Sequence, residues 1–270
     1  MRIARAQLPG GAIAYGWVLE GAFQPLHGSP FHGQPLNELV AAGPPIALER
    51  IRLLAPCQPS KVICIGRNYV EHAAEHGVDV PTEPLIFLKP PSAVIGPDAA
   101  VMLTPLSQRV EHEAELVVVI GQQSRHLTPA TALAAVLGYT CGNDVTARDL
   151  QRRDGQWSRA KGFDTFCPLG PWIETELDWR QQQVTCLVNG EVRQSGHTRD
   201  MVFGVPELLT FVSAAMTLEA GDVLMTGTPS GVSPLHAGDS MSISISGIGV
   251  LRTPVVAPWQ SAGQGVASGA

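Results

Sequence analysis

The segment from Val110 to Ile120 constrains the fold more than any other part of the chain. It carries acidic residues at alternate positions, Glu111, Glu113 and Glu115, and then runs into an apolar, β-branched block. Alternate residues of a strand point to the same face, so the pattern predicts a strand that enters the core with Glu113 and Glu115 side by side. Two carboxylates about 6–7 Å apart repel each other as they lose water. A hard cation with oxygen ligands relieves that repulsion, so the segment indicates a metal site.

A third oxygen ligand is expected from a separate strand. Asp144 closes a short predicted strand some thirty residues later and is the best candidate. Lys161 lies in a glycine-flanked turn farther along, where it can add positive charge beside the carboxylates. The same spacing also fits an exposed strand with alternating charges and Asp144 as an ordinary turn residue. The residues alone leave both interpretations open.

Charge and cysteine content exclude several classes of function. The chain has 270 residues and a formal net charge of −6 without a basic patch, which argues against binding to nucleic acid or an anionic membrane. No apolar run is long enough to cross a bilayer, and the N-terminus lacks the apolar segment of a signal peptide. The five cysteines show no Cys-x-x-Cys spacing, which favours reduced thiols in a cytoplasmic protein.

Short apolar runs separated by glycine and proline predict a β-rich α+β fold with few short helices. We expect a small N-terminal β-unit over residues 1–57, a catalytic domain over 58–258 and a disordered, Gly/Ala/Ser-rich tail over 259–270. Predicted local elements are a strand at 46–54, a hairpin at Asn189-Gly190 and helices at 36–42, 70–76, 129–138 and 206–216. The helix at 129–138 would have Thr128 as its N-cap and stop at Gly138.

Two further positions carry chemistry of their own. His72 and Glu75 are three residues apart in the short predicted helix and are neighbours on one face, where the carboxylate can orient the imidazole as a general base. A solvated surface pair has the same spacing, and residues 69–77 also fit a mobile lid. Lys89 ends an apolar strand before two prolines, as either a solvated strand end or a cation that faces the substrate.

An ordered set of motifs strongly resembles the fumarylacetoacetate hydrolase superfamily, with its acylpyruvases and 2-hydroxyhepta-2,4-diene-1,7-dioate isomerases and decarboxylases. The motifs span roughly residues 61–255 and are Gly66-Arg67-Asn68-Tyr69, Glu113-x-Glu115-Leu116, Asn143–Asp149, Lys161–Asp164 and Thr226–Val232. Each motif is weak by itself, whereas their order is specific. The resemblance favours the metal site over the exposed strand.

The resemblance also implies a fold and a set of roles. The fold would be the mixed β-roll of that family with its small N-terminal unit, usually as a homodimer. The implied roles are Mg²⁺ (or Mn²⁺ or Ca²⁺) binding by Glu113, Glu115 and Asp144, catalysis by His72, Glu75 and Lys161, and substrate binding by Arg67, Arg148, Gln151 and Thr228. Glu111 matches no ligand position.

Three hypotheses about activity follow. The first is a divalent-metal-dependent hydrolase that cleaves a C–C bond in a β-diketo or 2-oxo acid, such as an acylpyruvate or fumarylpyruvate. The second has the same site but acts as a decarboxylase or isomerase of oxaloacetate or of 2-oxo- or 2-hydroxy-dienedioates, as in aromatic catabolism. The third, a non-catalytic scaffold that binds a metal or ligand, is disfavoured because metal ligands, lysine and the His/Glu pair occur together.

Overall fold

The computed structural model describes residues 1–75, 77 and 79–258, and it is rich in strands. Its four α-helices are short: α1 (Val70–Glu75), α2 (Arg148–Asp154), α3 (Ser158–Lys161) and α4 (Val205–Ala215). None of the helices in this part of the chain is long and apolar enough to cross a membrane. The predicted tail at 259–270 lies outside the described residues.

The described strands form three sheets. In chain order they are β1 (Arg2–Gln7), β2 (Ile13–Leu19), β3 (Ala22–Pro25), β4 (Ile46–Ala47), β5 (Arg52–Leu54), β6 (Val62–Gly66), β7 (Leu85–Lys89), β8 (Val94–Ile95), β9 (Val101–Met102), β10 (Val110–Glu111), β11 (Ala114–Ile120), β12 (Val136–Asn143), β13 (Thr146–Ala147), β14 (Cys167–Glu174), β15 (Gln183–Val188), β16 (Glu191–His197), β17 (Val223–Met225), β18 (Ser240–Ile245) and β19 (Gly249–Val256). The largest sheet has twelve strands, with the order β4-β3-β2-β1-β14-β12-β11-β17-β6-β7 and with β5 on β1 and β8 on β14. A second sheet has the order β16-β15-β18-β19-β9, and β10 pairs with β13.

Strand β11 lies at the centre of the large sheet, between β12 and β17, and all seven of its residues are buried. Its two faces enter different cores. Leu116, Val118 and Ile120 pack in the core shared with the second sheet, whereas Val117 and Val119 pack with Cys64, Cys167 and Met225 on the opposite side. Burial on both faces explains the unbroken Val/Ile run, and each such side chain contributes roughly 1.5–3 kcal/mol.

The N-terminal strands extend the large sheet. Strand β1 pairs with β14 antiparallel, with Ile3 opposite Ile173, so residues 1–57 and the rest of the chain share one sheet. The division into an N-terminal unit and a catalytic domain stays a prediction. The β-rich α+β class with few short helices is confirmed, as are the hairpin at Asn189-Gly190 and the helix at 206–216, which runs from Val205 to Ala215.

The helix predicted at 129–138 is wrong. Only Ala132–Ala135 form a helix, a single 3₁₀ turn, and β12 already begins at Val136, which pairs with Ile120. Thr128 is not a cap, because the turn starts after Thr131 without a side-chain hydrogen bond. A place beside the central strand outweighs the modest helix propensity of alanine and leucine.

Two other predicted elements are shorter than expected. The helix at 36–42 is a 3₁₀ turn over Leu36–Glu38, and the strand at 46–54 is interrupted by a 3₁₀ turn at Leu48–Arg50. The remaining 3₁₀ turns of the described chain are Pro91–Ala93, Trp179–Gln181 and Thr198–Asp200. The predicted helix at 70–76 forms from Val70 to Glu75, while His76 lies outside the described residues.

Candidate metal centre and active site

The acidic segment is not one continuous strand. It breaks at His112 and Glu113, between β10 and β11. The backbone of Glu113 leaves the ladder to meet the end of β12, where its N–H donates to Asn143 Oδ1 and its carbonyl accepts from Asp144 N, each at 2.9 Å. This break turns the Glu113 side chain toward Asp144.

Three carboxylates meet at this point. One oxygen each from Glu113, Glu115 and Asp144 lies within 4.8 Å of the others. The three residues are 4%, 1% and 1% exposed, so the alternative of an exposed, solvated strand is wrong. Glu111 is also buried, but it is not one of the three grouped carboxylates and pairs with Arg109 and with Arg148, which also binds Glu113.

Three cations surround the carboxylate cluster. Lys161 Nζ donates to Glu113 Oε2 at 2.8 Å and to Asp144 Oδ2 at 2.6 Å. Lys89 Nζ binds Asp144 Oδ1 and the Val145 carbonyl, and Arg148 binds the second oxygen of Glu113. Within the described residues Glu115 has no ion pair, and its carboxylate accepts only the Gly227 N–H at 2.7 Å.

These contacts shift the pKa values of the clustered residues in different directions. Burial would raise the pKa of Glu113, but Lys161 and Arg148 hold it well below its usual range. Burial raises the pKa of Glu115 far above its ordinary value, and the charges of Asp144 and Glu113 raise it further. Burial would lower the pKa of Lys161, yet the same two carboxylates keep it raised and the lysine protonated.

The donor set fits a hard divalent cation. All three groups offer oxygen, which Mg²⁺, Mn²⁺ and Ca²⁺ prefer over nitrogen and sulfur. Within the described residues no side-chain cation pairs with Glu115, and burial raises the pKa of its carboxyl group. A divalent ion would supply the missing positive charge, so the three residues could hold one.

A pocket of about 340 Å³ opens onto the cluster. Eight of the ten sequence-predicted site residues line it, namely Arg67, His72, Glu113, Glu115, Arg148, Gln151, Lys161 and Thr228. Asp144 accepts a hydrogen bond from Lys161, and Glu75 contacts His72. The pocket wall also contains Phe87 and Trp157, which stack edge to face at 5.1 Å and lie near Lys161 Nζ. Eight predicted residues therefore line one pocket, and the other two contact members of that group.

Helix α1 places the His72–Glu75 pair beside the pocket. His72 Nδ1 lies 3.4 Å from Glu75 Oε2. His72 is 5% exposed, which contradicts a solvated histidine, whereas Glu75 is exposed, as in the alternative of a surface pair. Burial raises the pKa of Glu75, although the Gly231 N–H acts in the opposite direction. Movement of residues 69–77 as a lid stays a prediction.

The substrate-facing candidates differ in how they are held. Arg67 has φ of 58°, and its guanidinium lies 5.9 Å from the Trp157 ring. Gln151 accepts a hydrogen bond from Arg148 Nη1. This contact fixes Gln151 one helical turn beyond Arg148 on α2, so both face the same pocket.

Several residues near the site were missed or left open by sequence reasoning. Lys89 is 1% exposed, which contradicts a solvated strand end, and it contacts Asp144 instead of lining the described pocket wall. Asn68 ties the β6 turn to Phe203 and Thr226 through three hydrogen bonds. Two features of the sequence could have indicated a buried Lys89, namely its place in an apolar strand and the presence of only three lysines in the chain.

Comparison with known proteins agrees with this geometry. Residues 61–256 match the fumarylacetoacetate (FAA) hydrolase C-terminal family, and residues 1–56 match the Rv2993c-like N-terminal family. The chain therefore belongs to the fumarylacetoacetate hydrolase family, as the motifs indicated. Its strand-rich fold is that of the family's solved structures.

Similar proteins of this family include isomerases and tautomerases. The 5-carboxymethyl-2-hydroxymuconate delta-isomerase of Mycobacterium smegmatis is 44% identical, with a TM-score of 0.87 over 95% of this chain and 100% of that one. The 2-hydroxyhepta-2,4-diene-1,7-dioate isomerase of Mycobacterium marinum is 40% identical, with a TM-score of 0.87 over 96% and 100%. The human mitochondrial oxaloacetate tautomerase FAHD2A is 45% identical over 231 residues, which are 81% of this chain and 74% of that protein.

Proposed function

We propose that this protein is a divalent-metal-dependent enzyme that interconverts the keto and enol forms of a small 2-oxo acid. The observation that carries the proposal is one pocket lined by Glu113, Glu115, Lys161 and His72, with Asp144 and Glu75 in contact with these residues. The relatives named as an oxaloacetate tautomerase and as isomerases support this chemistry.

Glu113, Glu115 and Asp144 would hold the cation, for which Mg²⁺ is our first choice and Mn²⁺ or Ca²⁺ are alternatives. When bound, such an ion acts as a Lewis acid that polarises the carboxylate and 2-oxo oxygens of a 2-oxo acid. Lys161 adds a second, fixed positive charge where negative charge develops on the enolate. The arginines of the pocket, Arg67 and Arg148, would orient the acid.

Proton transfer falls to His72. Glu75 faces Nδ1 of the imidazole, so Nε2 would take the proton from C3 of the keto form. Transfer of that proton from Nε2 to the C2 oxygen of the enolate gives the enol, and the reverse path returns the proton to C3. Phe87 and Trp157 give the pocket an apolar wall near Lys161, and an apolar wall strengthens electrostatic contacts beside it.

Hydrolysis is the second candidate, and the same His72–Glu75 pair favours it. If the pair activates water instead of C3, attack on the acyl carbonyl of a β-diketo acid breaks the adjacent C–C bond and releases the same type of enolate. Decarboxylation of oxaloacetate would also use this enolate. The proposals thus share the residues that stabilise the enolate, which are Lys161 and the ligands of the cation. They differ in what His72 activates.

A substrate panel separates these activities. Purified protein with Mg²⁺ or Mn²⁺ would be incubated with enol-oxaloacetate, a 2-hydroxy-dienedioate and an acylpyruvate, and the products followed by NMR. We expect faster conversion of the enol to the keto form without loss of carbon. Pyruvate plus a free carboxylic acid from the acylpyruvate would establish hydrolysis, and CO₂ from oxaloacetate would establish decarboxylation.

We also propose a homodimer in a reducing, cytoplasmic compartment. All five cysteines are buried free thiols, and burial raises their pKa, which disfavours oxidation. Light scattering during size-exclusion chromatography measures the oligomer directly, and a monomeric mass would refute the dimer.

A further inference from the structure

Gln194 is the buried residue at the middle of an otherwise largely exposed strand. Its neighbours on β16, Arg193 and Ser195, are exposed, whereas Gln194 is 0% exposed. Its amide makes four hydrogen bonds. The oxygen accepts from Ala114 N at 3.0 Å and His112 Nδ1 at 2.9 Å, and the nitrogen donates to Thr228 Oγ1 at 2.7 Å and the Pro229 carbonyl at 2.8 Å.

The direction of every bond in this network is determined. The Ala114 N–H can only donate and the Pro229 carbonyl can only accept, so the oxygen and nitrogen of the Gln194 amide are assigned. His112 must then carry its proton on Nδ1, and its Nε2 accepts from Ser233 Oγ at 2.8 Å. Thr228 receives a bond from Gln194 and donates its own proton to the Ala114 carbonyl at 2.9 Å.

This polarity limits what Thr228 offers to a ligand. Its hydroxyl proton is used within the protein, so toward the pocket the side chain has only a lone pair. A substrate carboxylate, which also only accepts, gains no hydrogen bond from it. A substrate hydroxyl, such as that of an enol, can donate to it.

The loop from Thr228 to Gly231 packs between β16 and helix α1, which carries His72 and Glu75. A Cβ on Gly196 of β16 would lie 2.4 Å from Pro229 Cβ, so the loop packs directly on the strand. On its other side Ser230 Oγ donates to Glu71 at 3.1 Å, and Gly231 N donates to Glu75 Oε1 at 3.2 Å. A shift of this loop therefore moves both Thr228 and Glu75.

We propose that Gln194 is a positioning residue, which fixes Thr228 as a hydrogen-bond acceptor for the enol hydroxyl and, through residues 229–231, holds Glu75 beside His72. The proposal rests on the proposed enol chemistry for its substrate. The part that concerns the loop and Glu75 can be measured without any substrate.

Two variants test it by different routes. Gln194→Glu keeps both acceptor bonds but cannot donate to Thr228 or Pro229, and Gly196→Ala pushes the loop away while Gln194 is intact. The matched controls are Gln183→Glu, on the exposed part of the same hairpin, and Gly10→Ala, where a Cβ meets nothing within 4 Å. Gly196→Ala keeps the test valid if Gln194→Glu does not fold.

We expect faster amide hydrogen exchange at 228–231 and 70–75 in both variants, with β11 unchanged and Mn²⁺ stoichiometry intact. A misplaced catalytic group costs about 100-fold in rate, so kcat should fall by roughly 10- to 100-fold, more than KM rises. Loss of the Gly231 N–H should also move the acid limb of the kcat profile to higher pH, while His72, Arg148, Glu111 and Glu113 still face Glu75.

Unchanged exchange at 228–231 together with wild-type kcat in both variants would overturn the proposal. Uniform loss of Mn²⁺ binding, exchange protection and thermal stability would also overturn it, because that result describes a general folding defect. If the wild-type protein converts none of the enols, the proposed function fails, while the exchange experiment still decides whether Gln194 holds the loop.

Discussion

Replacing Lys89 by methionine tests the charge balance of the metal centre. Lys89 is fully buried and binds Asp144 Oδ1 and the Val145 carbonyl. Methionine has similar length and no charge, so Lys89→Met leaves Asp144 with Lys161 as its remaining cation. Lys89 lies outside the pocket wall, which keeps substrate contacts out of the measurement.

The expected loss of stability is large. Breaking a buried ion pair from one side costs about 3–5 kcal/mol, because the remaining charge is buried without its partner. Since Asp144 keeps Lys161, we expect the lower end, about 3 kcal/mol, in metal-free protein. At ~2–4 °C per kcal/mol, that corresponds to a Tm lower by about 6–12 °C.

A divalent cation should narrow this difference, because it supplies the positive charge that Asp144 has lost. The assay is thermal unfolding of wild type and variant in EDTA and in saturating Mg²⁺ or Mn²⁺. Arg153→Met is the control, since Arg153 forms an exposed pair with Asp154 that contributes little. An equal difference between the two proteins with and without metal, or no difference in EDTA, would refute the charge balance described here.

Four further predictions follow from the same site. Chelation with EDTA should abolish turnover, and Asp144→Ala should remove Mn²⁺ binding in calorimetry, whereas unchanged stoichiometry would count against Asp144 as a ligand. His72→Ala should lower tautomerisation by about 100- to 10,000-fold, the usual contribution of general acid–base catalysis, with a loss below tenfold contradicting the role. In EDTA, stability should fall as pH rises above 4.5 through the raised pKa of Glu115, because the folded state holds that proton more tightly. Saturating metal should reduce this dependence of stability on pH. A difference in stability between metal-free and metal-bound protein that is the same at every pH would contradict the prediction.

The sequence predicted the carboxylate triad because its signal is local. Glu113 and Glu115 have the two-residue spacing of a strand, and Asp144 directly follows a segment that the sequence predicted to be a strand. What the sequence did not show was the break at His112–Glu113, which depends on Asn143 thirty residues away. The prediction of side-by-side carboxylates was therefore right in its result, although Glu113 reaches the site from outside the strand.

Residues that act through distant strand pairing could not be predicted. Lys89 contacts Asp144 although β6, β17 and β11 lie between β7 and β12 in the sheet, an arrangement that no local pattern contains. Gln194 lies between two other polar residues on β16, Arg193 and Ser195, and its burial depends on the loop at Thr228. The helix predicted at 129–138 failed for the same reason, since pairing with β11 decides its conformation.

Two of the few lysines in the chain pair with the carboxylates of this site. There are three lysines in 270 residues, and Lys89 and Lys161 both bind Asp144, one to each oxygen. Glu113 likewise has a cation on each oxygen, so the charge without a partner in the described chain belongs to Glu115. A divalent ion would therefore act chiefly on Glu115, the ligand that lacks a cation partner and whose pKa is raised by burial. Metal affinity should accordingly depend on pH through this one carboxyl group, and Glu115→Gln should remove that dependence while Lys89 and Lys161 still hold Asp144 in place.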